Sequence, residues 1–242
     1  VCSSDLSAGR LRSGKFGLIT INGSRKTTLL TCLGGGKSLS KYELNSAEER
    51  YQPGSGDLVL ANKLGIIDEQ EMDTLESGLL LMLYEQLFIE SQPPEALAFE
   101  HISRWHRQWL GNVYDWAGRL RNANLTKDGF QFAAADRIPL LLDGFEKQFL
   151  SRSGELKFLA RPELVRYLAE CHVEFILIHP FREGNGRLSR LLCDVLSVLA
   201  GKGLLDYSLW DEHKPFYFKA IQAGVSGNYS PMMQLVSDIL PD

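Results

Sequence analysis

No two of the four cysteines, Cys2, Cys32, Cys171 and Cys193, form a CxxC pair, so neither a disulfide framework nor a zinc ribbon is expected. Cys171 and Cys193 sit in apolar helical surroundings and read as small core residues. No apolar run reaches the roughly 20 residues that span a bilayer. The start of the chain lacks the charged region and apolar stretch of a secretory leader. The reading is a cytoplasmic protein with no membrane partner. A basic surplus is missing too: 26 Lys and Arg against 30 Asp and Glu leave a net charge of −4. That disfavours nucleic acid as a partner, because a phosphate backbone attracts a basic face. Internal repeats and low-complexity tracts are also missing. What is present is 242 residues of ordinary globular composition, 44% hydrophobic and 23% charged, enough for one domain with a sizeable core and short for two.

Residues 1–41 differ from the rest. They have no initiator Met and no helical period, and they are rich in Ser, Gly, Thr and basic residues. They read as an ill-defined N-terminal segment, disordered or non-native, and residues 42–242 as a single domain. Thr31-Cys-Leu-Gly-Gly-Gly-Lys37-Ser38 nearly spells a P-loop, but Thr31 takes the place of the first glycine. The strand-like Phe16 to Asn22 lies too far upstream, and a polar region follows where an apolar helix is needed.

From about residue 42 the pattern is helical. Asp68, followed by Glu69, Gln70 and Glu71, predicts an N-cap with an acidic first turn. The helix runs through Leu75, Leu79, Leu83 and Leu87 and is broken by Pro93 and Pro94. A second helix carries Leu97, Ile102, Trp105, Trp109 and Leu110, a stripe that reads as core. Tyr114 to Gly118 reads as a helix end. Leu125 to Phe132 alternates about Asp128-Gly129, which predicts a hairpin. Helices resume from Ala135 to Leu150. Another opens at Pro162, presents Leu164, Leu168, Cys171 and Phe175 on one face, and stops before Pro180.

The informative segment is His179-Pro180-Phe181-Arg182-Glu183-Gly184-Asn185-Gly186-Arg187-Leu188-Ser189-Arg190. One helix ends at Pro180, and two glycines flank Asn185 in a tight loop. A new helix then begins, with Leu188, Leu191, Leu192, Val195 and Leu196 on its buried side. A Gly-rich turn at a helix N-terminus is an anion site, where backbone N–H groups and the positive end of the dipole face the ligand. Arg187 and Arg190 are one turn apart and suit a polyphosphate. Glu183, a carboxylate next to phosphates, calls for a cation between them, and Mg²⁺ is the usual one. His179 titrates near neutrality and can take a proton from an attacking hydroxyl. The parts point to nucleotide transfer onto an alcohol. His172 lies seven residues before His179, but no third ligand stands at useful spacing for a metal. His101, His106 and His213 read as structural.

This segment resembles the signature of the Fic family, HPFx(D/E)GNGRxxR, and every specified position matches. Tyr51-Gln-Pro-Gly54, Asn62-Lys-Leu-Gly65-Ile66, His106, Val113 to Arg119 and Gly227-Asn-Tyr229 resemble further family segments, so the likeness covers roughly residues 43 to 240. The resemblance implies an all-α fold, the Fic helical bundle with a small β-hairpin flap over the active site. It implies a protein adenylyltransferase that moves AMP from Mg-ATP to a Tyr, Ser or Thr hydroxyl of a target protein and releases pyrophosphate. His179 is then the general base, Glu183 the Mg²⁺ ligand and Phe181, beside Pro180, the core anchor of the loop. Gly184, Asn185 and Gly186 hold the α- and β-phosphates, Arg187 the β/γ-phosphate oxygens and Arg190 the γ-phosphate. Lys127, Asp128, Gly129 and Phe130 form the flap that binds the target segment by strand addition. Tyr217 and Asn228 are candidates for the adenine side. Relatives that phosphorylate their targets carry Lys where this chain has Gly186, so Gly186 favours adenylylation.

Many family members are silenced by a helix carrying (S/T)xxxE(G/N), whose Glu pairs with the second motif arginine, here Arg190. Ser91…Glu95, Ser151…Glu155 and Ser208…Glu212 do not fit that pattern. A separate antitoxin, or a portion upstream, is the expected source of any inhibition. Two alternatives stand beside this reading: transfer of another phosphate-linked group (UMP, phosphocholine or phosphate), and a non-enzymatic nucleotide-binding interaction module.

Overall fold

The computed structural model describes residues 50–242 together with a two-residue strand, β1, at Glu43–Leu44. The expectations for residues 1–41, including the near P-loop, lie outside the described residues. The fold is all-α with one small sheet. Helix α1 spans Glu69–Glu85 and α2 Phe99–Leu110. A hairpin follows, β2 at Leu125–Lys127 and β3 at Phe130–Gln131. Then come α3 at Ile138–Gln148, α4 at Arg161–Ile178, α5 at Asn185–Leu199, α6 at Ser208–Glu212, α7 at Lys214–Gly224 and α8 at Ser230–Ile239.

Local chemistry explains most boundaries. Asp68 caps α1 by accepting from the Glu71 N–H at 2.8 Å, as its sequence context predicts. The buried face of α1 carries Met72, Glu76, Leu80, Leu83 and Tyr84. Of the predicted stripe Leu83 and Leu87 are buried while Leu75 and Leu79 are only half-buried, so the first half of the helix is rotated from the expected face. The rotation matters because it turns a carboxylate, Glu76, inward. Helix α2 ends at Leu110, so Tyr114 to Gly118 forms turns rather than a helix end.

Helix α4 is the central element. Most of it is buried, Leu164, Leu168, Cys171 and Phe175 included, while a stripe through Glu163, Arg166, Glu170 and Glu174 is exposed or half-buried. It packs against α3, α5, α7 and α8. Tyr84 of α1 donates to Asp194 of α5 at 2.7 Å, and the Leu205 N–H donates to the same carboxylate at 2.9 Å. Burial pushes that carboxyl up to about 7. The hairpin is antiparallel, with Thr126 opposite Gln131 and Lys127 opposite Phe130. Asp128 and Gly129 both take positive φ, 52° and 76°, the turn that matches the twist of paired strands. β1 pairs with the other edge of β2, Glu43 opposite Thr126 and Leu44 opposite Leu125.

Candidate active site

The junction between α4 and α5 gathers the motif. His179 closes α4 in the left-handed region, φ 51° and ψ 60°. For a residue with a Cβ this conformation costs about 1–2 kcal/mol and persists only where the surroundings fix it. The imidazole is 3% exposed. Its Nδ1 donates to the Ile176 carbonyl at 3.1 Å, which makes Nε2 the lone-pair nitrogen. Phe132, just past β3, stacks on the ring at 3.7 Å. Burial holds the imidazole down at about 3. The bond to Ile176 opposes that effect, and the charges of Arg121 and Lys127 add to it. His179 is therefore neutral at pH 7.

The loop that follows is pinned from within. Asn185 accepts from the Phe181 N–H at 2.9 Å and donates Nδ2 to the Phe181 carbonyl at 2.7 Å. Its side chain is fully buried and committed to Phe181, so what it can offer a ligand is its backbone N–H in the first turn of the next helix. Phe181, also fully buried, stacks on His106 at 4.1 Å. His106 accepts from the Gly118 N–H at 2.8 Å, which leaves Nε2 as the donor to the Glu183 carbonyl at 3.1 Å. The residue read as structural from sequence thus clamps the motif loop. Gly184 is the N-cap of α5, with φ 80° and no side-chain cap, so the first N–H groups of α5 are offered to whatever lies in front of the helix. A Cβ on Gly184 would meet Trp109 at 2.6 Å, whereas one on Gly186 would meet nothing within 4 Å. Glu183 sits beside this terminus. Burial and the neighbouring Glu76 carboxylate push its carboxyl above the usual range, against the pull of Arg187.

Arg187 and Arg190 each have a carboxylate partner. Arg187 pairs with Glu76 at 2.5 Å, lies 3.9 Å from Glu183 and stacks over Trp109 at 4.6 Å. Glu76 also accepts from the Tyr114 hydroxyl at 2.7 Å, and its carbonyl accepts from Trp109 Nε1 at 2.8 Å. Arg190 pairs with Asp211 of α6 at 2.8 Å and is ringed by Tyr207, Trp210 and Tyr217. Glu76→Ala is expected to destabilise the fold by about 3–5 kcal/mol, because it leaves a largely buried guanidinium without its carboxylate. Urea unfolding would read it, and a loss below 1 kcal/mol would contradict the pairing.

The flap residues divide. Lys127 lies near enough for its charge to act on both His179 and Glu183. Asp128 and Gly129 form the exposed turn, and Phe130 packs edge-on to Phe132 at 5.4 Å. Tyr217 is buried, stacks on Trp210 at 5.2 Å and bonds His172 at 2.8 Å, so it is a core residue behind Arg190. Asn228 is an exposed loop residue whose side chain accepts from the Ser230 N–H at 3.2 Å. Sequence reading did not single out Glu76, Phe132 or Asp211. Only the Phe130-x-Phe132 alternation gave a usable signal, placing Phe132 on the same strand face as Phe130.

Residues 96–197 match the Fic/DOC family model. The chain is 31% identical over 152 residues to the protein adenylyltransferase VbhT of Bartonella schoenbuchensis, covering 63% of this chain and 31% of that protein. It is 28% identical over 177 residues to the probable protein adenylyltransferase y4lH of Sinorhizobium fredii, covering 73% and 88%. The chain thus spans about a third of the former and most of the latter. Among solved structures it resembles the BepC protein of Bartonella tribocorum with bound AMPPNP, with a TM-score of 0.65 and 25% identity over 79% of this chain and 96% of that one. A Fic domain of a cell filamentation protein from Bartonella quintana gives a TM-score of 0.66 at 25% identity, covering 79% and 91%. The complete motif at the α4–α5 junction lies inside the matched residues, so residues 96–197 are similar to the Fic/DOC family in both sequence and surrounding helical fold.

Proposed function

We propose that this chain is a protein adenylyltransferase that joins the α-phosphorus of Mg-ATP to a side-chain hydroxyl of a target protein. The observation that carries the reading is the junction itself. A neutral, tautomer-fixed His179 ends one helix, and an uncapped helix N-terminus with two half-buried arginines begins five residues later. The names of VbhT and y4lH, and the AMPPNP in the BepC structure, support it. The backbone N–H groups from Asn185 to Arg187 would hold the α- and β-phosphates, with Gly184 shaping the turn. Arg187 would meet the β/γ oxygens while Glu76 keeps it in place, and Arg190, braced by Asp211, would meet the γ-phosphate.

The target segment would add to the flap at Lys127–Phe130 and bring its hydroxyl to His179 Nε2. Nε2 takes the hydroxyl proton as the oxygen attacks the α-phosphorus. The bond from that phosphorus to the β-bridging oxygen breaks, and pyrophosphate leaves. Positioning and charge neutralisation supply most of the rate.

The donor set fits Mg²⁺. Glu183 offers hard carboxylate oxygen beside the phosphate seat, and its raised pKa marks a negative charge that a cation would relieve. A bound Mg²⁺ would neutralise phosphate charge there. Gly186, facing open space, gives the adenylylating rather than the phosphorylating form of the motif. The protein would act in the cytoplasm on protein rather than nucleic acid. A separate antitoxin would have to compete with Asp211 for Arg190. Among the described residues no helix is long and apolar enough to cross a membrane.

Mass spectrometry of lysate proteins after incubation with Mg-ATP is expected to find AMP on a hydroxyl side chain, absent with His179→Ala; a bare phosphate that depends on His179 in the same way would contradict the reading. The pH profile gives a second check. With His179 held at about 3 in the free enzyme, the base is already unprotonated at pH 5. The profile of kcat/KM is therefore expected to show no inflection near 6.5, the ordinary histidine value. An acid limb centred there that vanishes in His179→Ala would show that the ring is not held neutral.

A further inference from the structure

Arg121 is a buried cation with no part in the phosphate chemistry. It lies between the turns after α2 and strand β2 and is 5% exposed. Its guanidinium donates to the carbonyls of Ala123 at 2.5 Å, Ala133 at 2.6 Å, His179 at 2.6 Å and Ile178 at 3.2 Å. Its own backbone N–H donates to the Pro180 carbonyl at 2.9 Å, and the Ala133 N–H donates to the Leu177 carbonyl at 3.1 Å. One residue therefore holds three consecutive carbonyls, Ile178 to Pro180, and also the residues that lead into and out of the hairpin. The last carbonyls of α4 have no partner within the helix, and a cation suits that end of the dipole. His179 is also the residue held in the strained left-handed conformation, which the surroundings must enforce.

We propose that Arg121 is a positioning residue for group transfer: it fixes His179 in its left-handed turn and ties the flap to that turn, so that base and docked target strand keep one geometry. The inference rests on the adenylyltransferase reading above. The planar fork of arginine presents five donors in fixed directions. Lysine presents three from one point and cannot reach four dispersed carbonyls. The guanidinium charge also helps keep His179 unprotonated.

The test compares wild type with Arg121→Lys and Arg121→Gln. Affinity for a non-hydrolysable ATP analogue with Mg²⁺ reads the phosphate seat. The initial rate of α-label incorporation into lysate protein at saturating Mg-ATP reads transfer, taken per analogue-binding molecule so that unfolded protein does not count. Hydrogen exchange at the His179 and Ala133 amides reads the clamp, with the Leu188 amide, bonded to Gly184, as internal reference. Transfer is expected to fall about a hundredfold in either variant, with analogue affinity little changed. Exchange at His179 and Ala133 is expected to rise about tenfold or more against Leu188. A wild-type transfer rate per binding molecule, or exchange that rises equally at all three amides, would overturn the inference. Absence of His179-dependent label in the wild type would instead overturn the adenylyltransferase reading, and the exchange arm would still decide whether Arg121 holds the turn to the flap.

Discussion

His179→Ala is expected to lower transfer by about a hundred- to ten-thousandfold while Mg-ATP still binds. The reason is a division of labour along the loop. The phosphate seat is built from the start of α5, Arg187 and Arg190, and its shape is kept by Asn185 gripping Phe181 and His106 gripping Glu183. None of those contacts passes through the His179 side chain. The imidazole contributes its Nε2 lone pair; its removal also ends the Nδ1 bond to Ile176 and the stack on Phe132, but leaves the contacts of the phosphate seat in place. Transfer rate and affinity for an ATP analogue should therefore separate. A variant that lost both together would show that His179 supports the seat rather than the chemistry.

The two glycines of the motif are expected to behave oppositely. Gly184→Ala places a Cβ 2.6 Å from the Trp109 ring in a backbone with φ 80°. Left-handed strain and overpacking together cost about 2–4 kcal/mol. Trp109 carries Arg187 on its face and is anchored to the Glu76 carbonyl, so its displacement disturbs the phosphate seat as well. Analogue affinity is expected to fall with stability. Gly186 lies in the first turn of α5, with open space where a Cβ would go. Gly186→Ala is expected to be neutral or to stabilise by up to about 1 kcal/mol, since alanine is the better helix former. Thermal unfolding of the two variants side by side checks both. Equal destabilisation would contradict the geometry at the start of α5.

The sequence made legible whatever is local. Pro162 and Pro180 bracket α4, Asp68 starts α1, and Asp128-Gly129 turns the hairpin, because each signal acts within a few residues of its consequence. The motif loop was legible for the same reason: His179 to Arg190 lie in one continuous stretch. What supports the loop came from elsewhere in the chain. Glu76 is 111 residues from Arg187 and sits in the half of its helix where the leucine stripe put Leu75 and Leu79 on the buried face instead. Arg121 reaches His179 across 58 residues, and as a lone arginine near a hairpin it reads as a surface charge. Asp211 lies in the Ser208–Glu212 segment already set aside as an inhibitory motif, yet it is the residue that binds Arg190. Tyr217 looked like a pocket residue and proved to be core, because α7 packs against α4 and turns that ring toward His172. Pairings of this kind depend on how helices rotate against one another, which periodicity fixes only to within a residue or so.

The most direct test supplies ATP labelled at either the α- or the γ-phosphate to the purified chain with Mg²⁺ and a lysate, alongside His179→Ala. The account predicts α-label bound to protein that is lost in the variant, and no γ-label that depends on His179. Protein-bound γ-label that is lost in His179→Ala would contradict it.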